Sequence, residues 1–262
     1  MNGELHQLLL LVSAANGYLH TRQYESLDGF DPRIFRIEFQ GEDGRPLKSK
    51  NQADPVQTWL HDLKKKHCRG ILAIQLGAGT RDRQQSGFAG GGRRWAMVAR
   101  LRNFDEIWTA DWRAEREDTH TYWQITYRCR RTHDFDDDAF DYNLERSRQR
   151  LELALTEIGR LADEIGEQHW KLNFFGPALH ILNGQLHAET PLPAGYSEQA
   201  QRMYAAVYRS WVFGGMGSWN DVPPYSAHEK GKDQEFASCS DELYAAMQEA
   251  LEAAVNESAV QE

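Results

Sequence analysis

From residue 140 onward the apolar positions keep one rhythm. Phe140, Leu144, Ser147, Leu151, Ala154, Ile158, Leu161 and Ile165 follow a 4-3-4-3-4-3-4 spacing. With about 3.6 residues per turn, all of them share one stripe of a helix. The pattern predicts a helix over residues 139–165. Asp136, Asp137 and Asp138 would open it, where the helix dipole favours negative charge, and Gly166 would close it. The same spacing fits the a and d positions of a coiled coil, and the small Ser147 and Ala154 would admit a second helix closely. That partner is expected within the chain. Ser197 is placed to cap a segment carrying Ala200, Met203, Tyr204, Val207 and Trp211 on one face. Ser238 and Asp241 have the form of a capping box before Leu243, Met247, Ala250, Leu251 and Ala254. Between these segments the apolar run 169–183 is interrupted by Gly176-Pro177, which predicts a bend or a division.

Before residue 135 the period is mostly two. Residues 33–39 alternate and end on turn chemistry, 71–76 read as a buried strand, and 95–101, 106–112 and 120–129 follow with short polar links. The last three, joined by those short links, predict an antiparallel meander. Asp54-Pro55 predicts a helix start, with Val56, Trp59, Leu60 and Leu63 on one face and Lys64, Lys65 and Lys66 near the C-terminal end. Residues 6–19 fit either a helix stopping at Asn16-Gly17 or a strand, and the helix is the preferred reading. The expected fold is α+β: a mostly antiparallel sheet in the N-terminal half, packed with a C-terminal layer of antiparallel helices. Residues 1–135 form the mainly β part with one or two helices, and 136–262 the helical part, together one compact unit.

The densest unusual chemistry lies in residues 211–221, WVFGGMGSWND. Gly214, Gly215 and Gly217 permit a sharp turn, Trp211 and Trp219 supply apolar surface, and Asn220 and Asp221 supply local acceptors. Two readings compete. Either Trp211 and Phe213 end a helix with Gly214 as its left-handed cap, or the segment forms a pocket or partner surface. These seven residues, Trp211, Gly214, Gly215, Gly217, Trp219, Asn220 and Asp221, are the candidate binding site. In the buried version Trp219 is covered, at least one glycine takes positive φ, and Asp221 accepts backbone N–H groups that close the loop.

A second candidate is the glycine-rich stretch 77–92 with Arg81, Arg83, Arg93 and Arg94 around it. It lacks the spacings of phosphate-binding loops and runs between two apparent strands, so it reads as a surface loop with a basic, adaptable character. Asp105, Glu106 and Asp111 stand beside Trp108 and Trp112; aromatics next to acids can line a sugar or base site, and cross-strand packing is the competing use. His61, His67, His180 and His187 lack zinc spacing, and no nucleophile elbow occurs. No catalytic residue, metal ligand set or cofactor is read.

The string FGGMGSWND, after an amphipathic helix and before a short loop and terminal helix, resembles a C-terminal motif of uncharacterised bacterial proteins. The resemblance implies a bacterial origin and a C-terminal helical region built around residues 211–221, and it carries no activity.

Composition narrows the classes. With 40% hydrophobic and 26% charged residues the chain is too apolar for disorder. A formal charge of −9 argues against a dedicated nucleic-acid binder and suits either a chain that the charge simply keeps in solution or one with a basic protein partner. The isolated Cys68, Cys129 and Cys239 fit a reducing compartment. The Leu8–Val12 run is short and follows Glu4 and His6 rather than basic residues, so a cytoplasmic location is expected, with no membrane partner. Three functions follow: an acidic cytosolic binding module, such as an immunity or inhibitor protein against a basic toxin; an enzyme using acids such as Asp111 or Asp221 between sheet and helices; or a homo-oligomer joined through the 140–165 helix.

Overall fold

The computed structural model describes residues 1, 3–21, 35–48, 54–77, 82–86, 91–133, 135, 142–190, 192 and 195–260. Five strands, β1 (Phe35–Gln40), β2 (Gly70–Leu76), β3 (Arg94–Arg100), β4 (Asp105–Glu117) and β5 (His120–Thr132), form one sheet in the order β1-β5-β4-β3-β2. β3, β4 and β5 form the expected antiparallel meander, and β2 joins it antiparallel to β3. β1 departs from it, lying parallel to β5 with Phe35 opposite Trp123 and Gln40 opposite Arg128. The sheet is therefore mixed, though mostly antiparallel.

The helices are α1 (Gly3–Thr21), α2 (Pro55–Lys65), the short α3 (Asp82–Gln85), α4 (Leu144–Glu164), α5 (Gln168–Trp170), α6 (Gly176–Leu182), α7 (Glu198–Ser210), α8 (Pro223–Glu229) and α9 (Asp233–Val260). α1, α2 and α9 all pack on the sheet, against β2 and β3, β1, and β2 respectively. Side chains alternate across a sheet, so Ile71, Ala73, Met97, Trp108, Ile125 and Tyr127 face this helical layer. Leu72, Ile74, Ala96 and Val98 form a small second cluster on the opposite face. As the sequence predicts, Asp54 caps α2, its carboxylate accepting the Val56 N–H at 2.8 Å. Trp59 then stacks on Phe39 at a centroid distance of 4.6 Å, Phe39 stacks on Tyr127 at 5.0 Å, and Trp108 stands edge-on to both Phe39 and Trp59. This aromatic group fastens α2 to β1 and β5.

α1 does not stop at Asn16-Gly17 but runs on to Thr21. Asn16 has another use: its amide donates to the Ile71 carbonyl and accepts the Ile71 N–H, both at 2.8 Å. Two residues along β2, Asn256 of α9 does the same to Ala73, at 2.7 and 2.8 Å. Two residues further, Glu252 accepts from the Gln75 N–H at 3.2 Å and from its side-chain amide at 2.6 Å. The outer edge of β2 thus finds its hydrogen-bond partners in helix side chains rather than in another strand.

Asn256 and Glu252 belong to a longer polar ridge on α9. Ser240, Tyr244, Gln248, Glu252 and Asn256 recur every fourth residue. Ser240 accepts from the Trp219 indole, Tyr244 from the Arg93 backbone N–H, and Gln248 from the Trp95 indole. Leu243, Met247, Ala250, Leu251 and Ala254 beside them are fully buried. α9 begins at Asp233, so Ser238 and Asp241 lie inside the helix and form no capping box. Asp233 and Glu235 supply the first-turn charge instead, and Asp241 pairs with Arg83 at 2.7 Å.

In α4 the stripe is buried within the chain at Ser147, Leu151, Ala154, Ile158, Leu161 and Ile165. α9 covers much of it, and Arg150 bridges the two helices through Glu242 at 2.7 Å and Glu249. The described start of α4 differs from the prediction: Asn143 is the N-cap, accepting the Arg146 N–H at 2.9 Å, and the helix opens at Leu144. Phe140 and the acidic triplet lie outside the described residues. Gly166 ends the helix with φ +84°. The apolar run is divided as expected, into α5 and α6, by a single π-turn, Lys171–Phe175, that ends directly before Gly176-Pro177. The Gly176 N–H bonds back five residues to the Lys171 carbonyl, and a Cβ at Gly176 would stand 2.9 Å from that oxygen. The widened turn is how the helix absorbs the proline ring. Ser197 caps α7 as predicted, accepting the Ala200 N–H at 3.1 Å.

Candidate functional site

Residues 211–221 leave α7 and reverse direction before α8. Trp211 sits at the helix end with φ −70° and ψ 93°, its indole donating to the Phe213 carbonyl at 3.1 Å. Gly214 has no positive φ and is therefore not a left-handed cap; among the three candidate glycines it is Gly217 that takes φ +75°. The Gly217 N–H bonds to the Asp221 carboxylate at 2.8 Å, and the Asp221 N–H returns to the Ser218 carbonyl at 3.1 Å. Asp221 thus closes the loop, as its short side chain and position allow.

Trp219 anchors this turn. It is fully buried, its N–H donates to the Val212 carbonyl at 3.0 Å, and its indole donates to Ser240 at 2.8 Å. Phe175 and Trp170 meet its ring edge-on at 5.2 and 5.7 Å, and Phe236 stacks on it at 5.4 Å. Three glycines in four residues would otherwise cost considerable backbone entropy, and this packing offsets it.

The glycine-rich stretch meets the same turn. Arg83 donates to the Asn220 side-chain oxygen and to Asp241, both at 2.7 Å, while the Asn220 amide returns to the Arg83 carbonyl at 3.3 Å. Tyr244 packs edge-on against Trp211 and Phe213, and its hydroxyl accepts the Arg93 N–H. Gly92, at φ +83°, lies so close to Ser86 and Tyr244 that a Cβ would come within 3.1 Å of each. Arg83 and Arg93 therefore serve as tethers. Residues 78–81, with Arg81, and 87–90 lie outside the described residues.

What this scaffold presents outward is apolar. Met216, between Gly215 and Gly217, is 98% exposed; Val222 and Tyr225 follow at 57% and 64%. Beside them is a cleft of about 490 Å³ lined by Arg83, Gly214, Asn220, Asp221, Asp233 and Phe236 among others. Its carboxylates outnumber its single guanidinium, which Asp241 already engages.

Other candidate acids are spoken for. Asp111 accepts from Arg113 at 2.9 Å and Arg128 at 3.1 Å. It also lines a separate cleft of about 240 Å³ with Glu4, Arg93, Arg94 and Trp112. Glu106, 1% exposed, bonds to Lys66 at 2.9 Å, and Asp105 pairs with Arg100 at 2.9 Å. Cross-strand and interlayer pairing is thus the visible use of this acidic and aromatic group. Burial pushes the Cys68 and Cys129 thiols up to about 12, which leaves little thiolate near neutrality. Among the described residues, no group of three His, Cys, Asp or Glu side chains is placed to hold a metal ion, and no helix is long and apolar enough to cross a membrane.

One titratable group escaped the sequence reading. Burial pushes the Glu252 carboxyl up to about 7, against the hydrogen bonds from Gln75 that favour its charged form. Its signal was the polar residue at every fourth position of an otherwise apolar helix.

No protein-family model matches this chain, and no curated protein or solved structure is significantly similar to it.

Proposed function

We propose that this protein is a binding module that presents residues 214–225 to a basic protein partner. The observation carrying this reading is Met216, almost wholly exposed on a turn that Asp221 closes and Trp219 anchors. An unbranched, polarisable side chain held out on an ordered turn can adapt to a partner's apolar pocket, with the backbone already ordered and the side chain's rotamers left to fix. Val222 and Tyr225 widen the apolar contact, and Asp221, Glu229 and Asp233 give it an acidic rim. The overall charge of −9 would draw a basic partner in. An immunity or inhibitor protein acting on a basic toxin in the cytoplasm is one form of this function.

The test is affinity capture from the source cell, followed by titration of the captured partner. Met216→Ala combined with Tyr225→Ala should weaken binding about tenfold or more, since each truncation removes exposed contact area rather than core. Binding should also fall with added salt. An unchanged affinity in the double variant would overturn this surface.

A further inference from the structure

Three stretches of outer strand edge in the sheet are treated differently. That of β2 is sealed by Asn16, Asn256 and Glu252. That of β1 is partly covered, with Leu47 donating to Phe39 at 2.8 Å and Gln40 bridged to Pro46. The third belongs to β4. β3 pairs with it only from Arg100 opposite Asp105 to Met97 opposite Trp108. Beyond Trp108, β4 continues to Glu117 with β5 alone beside it among the described residues. Thr109 to Trp112 still line the cleft shared with Glu4, Arg93, Arg94 and Trp95, but every residue of 113–121 is exposed.

The direction of the free groups follows from the ladder. Asn16 takes the outward N–H and C=O of Ile71, so Ile71 and its opposite, Ala99, form a pair without mutual hydrogen bonds. Ala99 then bonds to Glu106, and the even-numbered residues of β4 point their backbone groups away from β5. Trp112, Ala114 and Arg116 offer donors and acceptors to whatever lies alongside.

We propose that a second copy of this chain pairs antiparallel with this edge, about a twofold axis at Ala114. In that register Ala114 faces Ala114, Trp112 faces Arg116, and Arg113 faces Glu115, the last two pairs occurring twice by symmetry. About six backbone hydrogen bonds join the copies. Arg116 meets an indole face, and Glu115, which has no ion-pair partner in its own chain among the described residues, gains Arg113. A twofold axis through the sheet requires one residue to face itself, so the competing registers are few. Centring on Arg113 opposes Arg113 to Arg113 and Asp111 to Glu115. Centring on Glu115 opposes Glu115 to itself. Centring on Trp112 pushes the incoming strand against Arg93, Trp95 and Glu4. In the chosen register Asp111 meets Glu117 at the two ends, where Arg128 stays with Asp111 and Arg36 with Glu117 while Arg113 turns from Asp111 to Glu115. Charge selects the register here while the backbone ladder supplies the affinity.

Sedimentation of the full-length chain up to about 100 μM tests this. The wild type should run as a dimer. Arg113→Glu and Glu115→Arg should each raise the dimer dissociation constant about tenfold or more, because each reversal counts twice. The combined variant, R113E with E115R, should regain the dimer. Circular dichroism will show each exposed variant folded, and Ala114→Cys should give a reducible linked dimer on mild oxidation, which the native cysteines do not. A monomeric wild type, a dimer indifferent to the single reversals, or a double variant that stays monomeric would each overturn the proposal.

Discussion

Asn256→Leu tests the claim that helix side chains complete the edge of β2. Asn256 is fully buried and contributes one donor and one acceptor, at 2.8 and 2.7 Å, to the backbone of Ala73. Leucine keeps the branching and the number of heavy atoms, so no cavity opens, and the main loss is the pair of hydrogen bonds. Each leaves a backbone group buried without a partner, at about 1–3 kcal/mol apiece, and leucine's greater hydrophobicity returns part of that. The net cost should be about 3 kcal/mol, read by urea unfolding followed through tryptophan fluorescence with an unchanged m-value. Asn256→Asp sharpens the test. Its carboxylate can still accept the Ala73 N–H but confronts the Ala73 carbonyl with a second acceptor, so the folded state favours the protonated acid. Its folded pKa is then raised above the unfolded value of about 3.9. Stability relative to wild type is therefore best below the unfolded pKa and is lost as pH rises through the folded one. The deficit of the Asp variant should grow between about pH 4.5 and 7.5 while that of the Leu variant stays level. A Leu variant within about 1 kcal/mol of wild type, or an Asp deficit independent of pH, would refute the edge-sealing role.

Glu252 gives a second pH dependence. Its carboxyl rises from 4.5 to about 7 on folding, so wild-type stability should fall over that interval by up to about 3 kcal/mol, less for the part of the group that meets solvent. Glu252→Gln should remove that slope in parallel unfolding curves at pH 5 and 8, whereas an identical slope in both proteins would place the titration elsewhere. Leu151→Ala, at a fully buried position of α4, should cost about 2–5 kcal/mol by chemical denaturation; a loss below about 1 kcal/mol would remove the stripe from the core.

Local signals carried much of the fold. Asp54-Pro55 and Ser197 announce their helices because capping depends on adjacent residues alone, and the 4-3 spacing of α4 survives because one face must be buried along its length. The meander is legible because its links are short. β1 is legible as a strand but its pairing is not, since its neighbour β5 lies far along the chain and no local rule selects parallel pairing. Asn16-Gly17 and Ser238 misled for one reason: residues favoured at helix ends were recruited within helices, Asn16 for β2 and Ser238 simply overrun by a start at Asp233. Gly176-Pro177 marked the interruption of its run but not its form, a π-turn that is invisible in the spacing. At the candidate site, glycine density located the turn and Asp221 closed it as expected. The Arg83–Asn220 contact spans 137 residues and leaves no local trace, and Met216 reads as one more apolar residue until its neighbours turn inward.

The polar ridge of α9 also has a consequence in time. Asn256 reaches Ala73 across 183 positions of sequence, so β2 leaves the ribosome long before its outer edge can be finished. At about 5–20 residues per second, roughly ten to forty seconds of synthesis separate the two. Throughout that interval Asn16 can already hold Ile71, but Ala73 and Gln75 lie open to any passing strand. The nascent chain is therefore at its most adhesive just before α9 emerges, and premature termination within that helix would leave a species prone to aggregation rather than a slightly weakened protein.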